Sequence, residues 1–214
     1  AIEVGGDFYD IRNYDNSNLI TIGDVSGHGV TPGLITMIIQ TIISSIITQN
    51  KSIRVKDLYN YLNNILIEKI KKLDMRIYVT ICLLKEIGNG NFRGCGKHND
   101  IIIYRSEEKK IEIIETKGIW LGISEDISDY IQEYKFKLNK DDIMILYTDG
   151  LSEFYTDNGE MFGDKLKEFI PEINEKSSEE IVEKILDEFE NFKKISSCES
   201  NNRDDVTLLV IKKL

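Results

Sequence analysis

The patterning of this chain predicts an α+β sandwich, and three observations carry that prediction. Helical periodicity is crowded into residues 32–73. Strand-like runs then follow one another across 77–147. One more amphipathic helix, at 178–192, precedes a closing strand at 206–212. At 214 residues the chain can bury a substantial core. No repeat, low-complexity tract or inter-domain linker interrupts it, so 1–214 is read as a single domain.

Residues 8–12 and 19–24 read as strands joined by Asp15-Asn16-Ser17-Asn18, a hairpin signal. Pro32 suits the first turn of a helix, where its missing N–H costs no hydrogen bond, and Thr31 before it reads as the cap; this helix extends to about Gln49. Over 55–73 the residues Val55, Leu58, Tyr59, Leu62, Ile65, Leu66 and Ile70 recur with a helical period, so a second amphipathic helix follows. Strands are expected at 77–87, 91–94, 101–105 and 111–115, punctuated by turn chemistry such as Gly88-Asn89-Gly90. Residues 130–138 alternate like a half-buried strand, and 143–147 is a continuous apolar run, hence a central strand. Residues 154–163 read as a loop. In the helix over 178–192, Ser177 or Ser178 serves as cap, and Glu179 and Glu180 favour the positive end of the helix dipole. Residues 195–202 are polar and read as a mobile connection.

The formal net charge is −10, which argues against a general grip on nucleic acid, because that needs clustered Lys and Arg. Cys82, Cys95 and Cys198 form neither a CxxC nor a zinc-finger spacing; an odd, scattered set fits a reducing, cytoplasmic compartment. The longest apolar stretch, 34–47, is shorter than the ~20 residues a membrane span needs, so it reads as a buried core helix. The chain lacks an initiator Met and opens almost directly on a motif, which suggests a piece of a longer protein.

Four aspartate motifs stand out: Gly5-Gly6-Asp7-Phe8-Tyr9-Asp10, Gly23-Asp24-Val25-Ser26-Gly27-His28-Gly29, Tyr147-Thr148-Asp149-Gly150 and Arg203-Asp204-Asp205-Val206-Thr207. Each places a carboxylate at a strand end or beside glycine, whose missing Cβ lets backbone approach a ligand closely. Carboxylates gathered together repel and raise one another's pKa; a divalent cation resolves that conflict. Oxygen-only ligands suit Mg²⁺ or Mn²⁺. Two such ions sharing a carboxylate and holding a water form the template for phosphate-ester hydrolysis. Asp24 and Asp149 are the leading catalytic candidates. Asp10, three residues after Asp7, faces the other side of a strand and is a weaker one.

Other chemistries find little support. There is no serine nucleophile elbow and no Cys-x5-Arg loop, and 23–29 lacks the Gly-Lys-Ser/Thr ending of a phosphate-binding loop. His28 could protonate a leaving serine oxygen, with an ordinary polar loop residue as the favoured reading. His98 reads as structural. Arg12 and Lys97 lie near motifs and are candidates for binding substrate phosphate, with solvated surface charge as the plainer reading. The substrate-binding residues are otherwise unknown.

In order and spacing, the four motifs resemble the SpoIIE/RsbU branch of the PPM metal-dependent serine/threonine phosphatases. Gly118-Ile119-Trp120-Leu121-Gly122-Ile123, Asp149-Gly150-Leu151-Ser152-Glu153 and Gly159-Glu160-Met161-Phe162-Gly163 extend the resemblance across essentially the whole chain. It implies a four-layer α-β-β-α sandwich and two Mn²⁺ or Mg²⁺ ions. Asp7 and Asp24 would serve one ion, directly or through water, and the Val25 carbonyl would stand in for that of a glycine common in the wider family. Asp24 would reach the second, completed by Asp149 and Asp204, with Asp205 as the alternative to Asp204. Many relatives carry Ala-Gly-His-x-Pro near the middle. Here the segment is Cys95-Gly96-Lys97-His98-Asn99-Asp100, with the histidine displaced and the proline absent.

The expected function is a protein serine phosphatase. The resemblance implies a phosphorylated STAS-domain protein as substrate, an upstream sensor or receiver domain, and membrane tethering, if any, through that missing part. A homodimer is compatible with this reading. Two alternatives compete: a silent or switched-off partner-binding domain, and a hydrolase of small phosphoesters.

Overall fold

The computed structural model of the protein describes residues 5–14, 17–72, 76–195 and 204–214. In chain order the elements are β1 (Phe8–Tyr14), β2 (Ser17–Val25), α1 (Val30–Gln49), α2 (Val55–Lys72), β3 (Val79–Glu86), β4 (Asn91–Cys95), β5 (Ile101–Arg105), β6 (Lys110–Ile114), β7 (Glu133–Lys137), β8 (Ile143–Tyr147), α3 (Asp149–Ser152), α4 (Phe162–Ile173), α5 (Ser178–Ile195) and β9 (Leu208–Lys212). The chain forms two compact units. Unit 1 comprises Ala1–His98 and Thr116–Lys137; unit 2 comprises Asn99–Glu115 and Leu138–Leu214. Each unit holds one antiparallel sheet flanked by helices, which is the α+β class that the patterning predicts and the element set of the PPM-type sandwich.

The sheet of unit 1 has the order β1-β2-β3-β4-β7. Phe8 pairs with Gly23 and Tyr14 with Ser17, so the hairpin is real; Asp15 and Asn16 of its turn lie outside the described residues. Strand alternation sends Leu19, Val25, Val79, Ile81 and Leu83 into one core with Ile35, Ile39, Ile43 and Ile47 of α1 and Leu58, Leu62 and Leu66 of α2. The helix reading of 32–49 holds, but its cap is Gly29 rather than Thr31, which sits inside the first turn. Gly29 enters the helix at φ 89°, where a β-branched residue is strained. By length and composition α1 could cross a bilayer, since its 20 residues carry no charge, but its Ile35–Ile39–Ile43–Ile47 stripe is built into the core of unit 1.

Unit 2 has the order β6-β5-β8-β9. Ile102, Tyr104, Ile143, Ile145, Tyr147 and Val210 pack against α4 and α5, where Phe154 and Phe162 meet Phe189 and Phe192 mostly edge-on. The capping question at α5 is settled for Ser177. Its Oγ accepts from the Glu180 N–H at 3.2 Å while the Glu180 carboxylate accepts from the Ser177 N–H at 2.9 Å, a reciprocal capping box.

Two sequence expectations need correction. Residues 130–138 are not one strand: Ser128–Tyr130 is a single 3-10 turn and only Glu133–Lys137 pairs, because the turn keeps the chain away from β4 until Glu133. The loop expected over 154–163 gives way at Phe162 to α4, whose Phe162, Leu166, Ile170 and Ile173 form a buried stripe. Pro171 disguises this helix; in the last turn it forfeits a single N–H bond rather than ending the helix. The polar connection at 195–202 and Cys198 lie almost wholly outside the described residues, whereas Cys82 and Cys95 are buried free thiols.

Candidate metal-binding centre

In unit 1, Asp24 is the penultimate residue of β2, an interior strand paired on both sides; it stands opposite Thr80 of β3. Alternation puts Val25 into the helix-side core and leaves Asp24 on the other face with Ile20 and Ile22. The Gly5-Gly6-Asp7 segment crosses directly against this strand end. The Val25 N–H donates to the Gly6 carbonyl at 3.2 Å, and the Thr36 hydroxyl of α1 donates to the same carbonyl at 3.1 Å. A Cβ on Gly6 would fall 2.4 Å from the Val25 carbonyl oxygen and 2.7 Å from Asp24 Oδ1. The crossing therefore demands glycine, and it brings the Asp24 carboxylate and the Val25 carbonyl together beside the backbone that leads into Asp7.

Beyond Val25 the chain turns at Ser26. Its N–H donates to the Tyr78 carbonyl at 3.0 Å and its hydroxyl accepts from the Tyr78 N–H at 2.9 Å. Gly27 at φ 101° and Gly29 at φ 89° then carry the loop into α1, and His28 between them is exposed.

Unit 2 gathers its own acids. Asp149 opens the one-turn α3 directly after β8 and Thr148. The ends of β8 and β9 are clipped together: the Thr148 N–H donates to the Thr207 carbonyl at 3.1 Å, and the Thr207 N–H donates to the Thr148 hydroxyl at 2.9 Å. A Cβ on Gly150 would lie 2.0 Å from the Asp205 carbonyl oxygen and 3.3 Å from Asp204 Cβ, so Asp204 and Asp205 cross directly over this glycine. Burial, then the charges of Asp149 and Asp205, push the Asp204 carboxyl above its ordinary value. Arg203 lies outside the described residues.

Among the described residues no three His, Cys, Asp or Glu side chains are drawn together closely enough to hold a metal ion. The donor chemistry of each unit nevertheless fits a hard divalent cation. The ligands are all oxygen, two glycines leave no room for side chains at the crossings, and in unit 2 a crowded carboxylate is one whose ionised form a cation would favour.

Several of the other candidates make hydrogen bonds within unit 1. Asp10 lies on the helix side of β1, where it accepts from Arg12 Nε at 2.5 Å, and Arg12 Nη1 donates to Ser44 of α1 at 2.8 Å. That takes both Asp10 and Arg12 to the α1 side of the sheet. Lys97 donates to the Thr116 carbonyl at 3.0 Å. His98 is buried, with Nδ1 2.9 Å from the Thr80 hydroxyl and its N–H donating to Thr116 Oγ1 at 3.1 Å; it ties β3 to the segment at Thr116. Sequence reading did not single out Gly6 and Gly150 as packing positions, nor Ser26, Tyr78 and Thr148. Only the Gly-Asp and Asp-Gly pairings hinted at the first two.

The family profile described as Stage II sporulation protein E (SpoIIE) matches residues 15–214. Phosphoserine phosphatase RsbU of Bacillus subtilis (strain 168) is 26% identical over 216 residues, covering 100% of this chain and 61% of that protein. The chain thus spans about three fifths of the length of this relative. Among solved structures, the RsbU and RsbW domains of Rv1364c from Mycobacterium tuberculosis superpose with a TM-score of 0.75 at 20% identity, covering 98% of this chain and 56% of that one. The SiaA-PP2C domain of Pseudomonas aeruginosa superposes at 0.77 with 18% identity, covering 97% and 80%. A family match over nearly the whole chain, with all four acid motifs on the strand ends described above, places this protein in the SpoIIE/RsbU family of PPM-type phosphatase domains.

Proposed function

We propose that this chain is a metal-dependent protein serine phosphatase domain that hydrolyses phosphoserine on a folded protein substrate. The proposed cation ligands are Asp7, Asp24, the Val25 carbonyl, Asp149 and Asp204, with Asp205 as the alternative to Asp204. When bound, two Mn²⁺ or Mg²⁺ ions supply Lewis-acid polarisation of the phosphoryl group and of the attacking water. The chain's own carboxylates would fix where that positive charge sits, and the pairing of Asp24 with Thr80 of β3 restrains its backbone. His28, exposed in the loop after Asp24, is the candidate for protonating a leaving serine oxygen.

The observation that carries this reading is the paired construction: two strand ends, β2 and β8, each set an aspartate beside a glycine that admits no side chain. The substrate class is a phosphorylated STAS-domain protein, as the family resemblance implies; the phosphoserine phosphatase name of the RsbU relative supports the phosphoserine part of that reading. The domain spans 1–214, works in the cytoplasm, and is the catalytic part of a longer regulated protein. The test is phosphate release from a phosphoserine-bearing STAS protein with Mn²⁺ and with EDTA, comparing wild type with Asp149→Asn. Release is expected with Mn²⁺ only, lowered by at least about 10²-fold in the variant. Equal release with EDTA, or an unaffected variant, would overturn the reading.

A second reading rests on the absence of a preformed cluster of three acids among the described residues. In that reading the isolated chain is in a low-activity state and acts as a partner-binding domain until its ligands are drawn together. Mn²⁺ binding without turnover would favour it. Faster hydrolysis of nucleotides than of the phosphoprotein would favour a small-phosphoester hydrolase.

A further inference from the structure

Trp120 is the only tryptophan in the chain, and it is the outward residue of a segment otherwise fastened to unit 1. Next to it, Leu121 is fully buried and exchanges two backbone hydrogen bonds with Val79, each 3.0 Å. On its other side, the Ile119 carbonyl accepts from the buried Tyr59 hydroxyl of α2. Asn63, also on α2 and fully buried, accepts from the Gly122 N–H at 3.0 Å and donates to the Ser124 carbonyl at 2.9 Å. The segment is therefore held without help from the indole. Trp120 remains 38% exposed and stacks on Tyr78, which is 41% exposed, with ring centroids 4.8 Å apart and planes 15° apart.

The location of this stack gives it meaning. Tyr78 is locked to Ser26 by the two hydrogen bonds described above, and Val79 pairs with Val25 and Thr80 with Asp24. The aromatic pair thus stands two rungs along from the Asp24–Thr80 pair, roughly 7 Å at the usual rise per strand residue. A rigid, amphipathic ring held at low entropic cost is the kind of side chain that anchors protein contacts. The chain's net charge of −10 offers a phosphoryl group no general long-range attraction, so an apolar contact beside the site is a source of affinity that small phosphoesters lack.

We propose that the Trp120–Tyr78 stack is the substrate-discriminating contact of this domain: it receives an apolar surface beside the phosphoserine of a folded protein substrate and so separates phosphoproteins from small phosphoesters. The proposal rests on the phosphatase reading for its catalytic consequence, but docking has its own readout. Because Trp120 is the sole tryptophan, its emission reports whether the ring becomes covered.

The test adds a phosphoserine-bearing STAS protein without tryptophan to the EDTA-treated domain and follows the emission. It then compares kcat and KM on that protein and on p-nitrophenyl phosphate, with Mn²⁺, for wild type, Trp120→Ala, Trp120→Phe and Tyr78→Ala. A blue shift is expected on binding. Trp120→Ala should raise KM for the phosphoprotein by about 10–100-fold with kcat little changed, leave p-nitrophenyl phosphate hydrolysis within about twofold of wild type, and be largely rescued in Trp120→Phe; Tyr78→Ala should show the same split. An emission unchanged at saturating phosphoprotein, or equal losses on both substrates, overturns the proposal. Failure of wild type to hydrolyse either substrate would sink the phosphatase reading alone, since the emission still decides docking.

Discussion

In unit 1 the acid at the strand end belongs to β2, an interior strand: Asp24 pairs with Thr80 of β3, and the ladder with β1 ends one residue before it, at Gly23 opposite Phe8. In unit 2 the corresponding acids have less behind them. Asp149 starts a one-turn helix, and Asp204 precedes β9, an edge strand paired only to β8. Their placement depends on the Thr148–Thr207 clip and on the crossing over Gly150. The same contrast runs through the buried polar groups. Unit 1 uses a neutral amide, Asn63, to hold the segment after Trp120. Unit 2 uses an ion, Asp142, which accepts from Arg105 Nη1 at 2.6 Å, from the Ser106 N–H at 3.0 Å and from the Asn139 N–H at 2.9 Å. Similar oxygen chemistry is thus mounted on a stiff ladder in one unit and on local clasps in the other.

The largest expected effect comes from removing these buried groups. Asp142→Ala removes the buried partner of Arg105, whose side chain is only 12% exposed, and leaves it the more exposed Glu112 carboxylate at 2.6 Å from Nε. With that second carboxylate still in place it should cost about 3 kcal/mol, whereas Asn63→Ala, which strands neutral groups, should cost about 1–2 kcal/mol. Denaturant melts of both variants decide the matter. Equal costs would show that the charge at Asp142 carries no special penalty, and the contrast between the units would fall.

The glycine crossings come next. Gly150→Ala must push the Asp205 backbone away from a 2.0 Å contact, and Gly6→Ala must relieve one of 2.4 Å with Val25. Overpacking of this kind costs about 1–3 kcal/mol. Because unit 2 relies on clasps, Gly150→Ala should shift its acids more easily and weaken Mn²⁺ binding at a smaller cost in stability than Gly6→Ala. Calorimetric titration beside thermal melts reads both quantities; the reverse ranking would mean that β2 is the softer support.

The smallest effect is electrostatic. The Asp204 carboxyl is raised in the folded chain, so the metal-free fold binds this proton more tightly than the unfolded chain does. Its contribution to stability is present below the ordinary carboxylate range and is lost as pH rises through the folded value. In EDTA, Asp149→Asn removes one of the repelling charges and should melt slightly above wild type at neutral pH. The difference should shrink as pH falls and the Asp204 carboxyl takes up its proton. A wild type that melts higher than the variant in EDTA at neutral pH would refute the repulsion.

Much of the fold was legible because periodicity is a local property. The α2 stripe and the continuous run of β8 identify themselves, and β5 and β8 match the sequence reading residue for residue. Helix α4 was not legible, since Pro171 in its last turn imitates a stop and its short apolar stripe begins inside a stretch of turn residues. The strand at 130–138 was overread because alternation continues through a 3-10 turn that makes no ladder. Among site candidates, alternation set Asp10 apart from Asp7, and in the structure Asp10 accepts from Arg12, which also donates to Ser44 of α1.

By itself the sequence determined the class of fold, the order of most elements and the four acid motifs, because each is written in the spacing of neighbouring residues. Tertiary structure alone decided which of those residues meet. That Gly6 crosses the end of β2, that Asp204 and Asp205 lie over Gly150, and that Tyr78 fastens Ser26 while stacking on Trp120 are contacts between segments far apart in the chain. No local pattern encodes them, because they arise from strand register and from backbone approaches that only a missing Cβ permits.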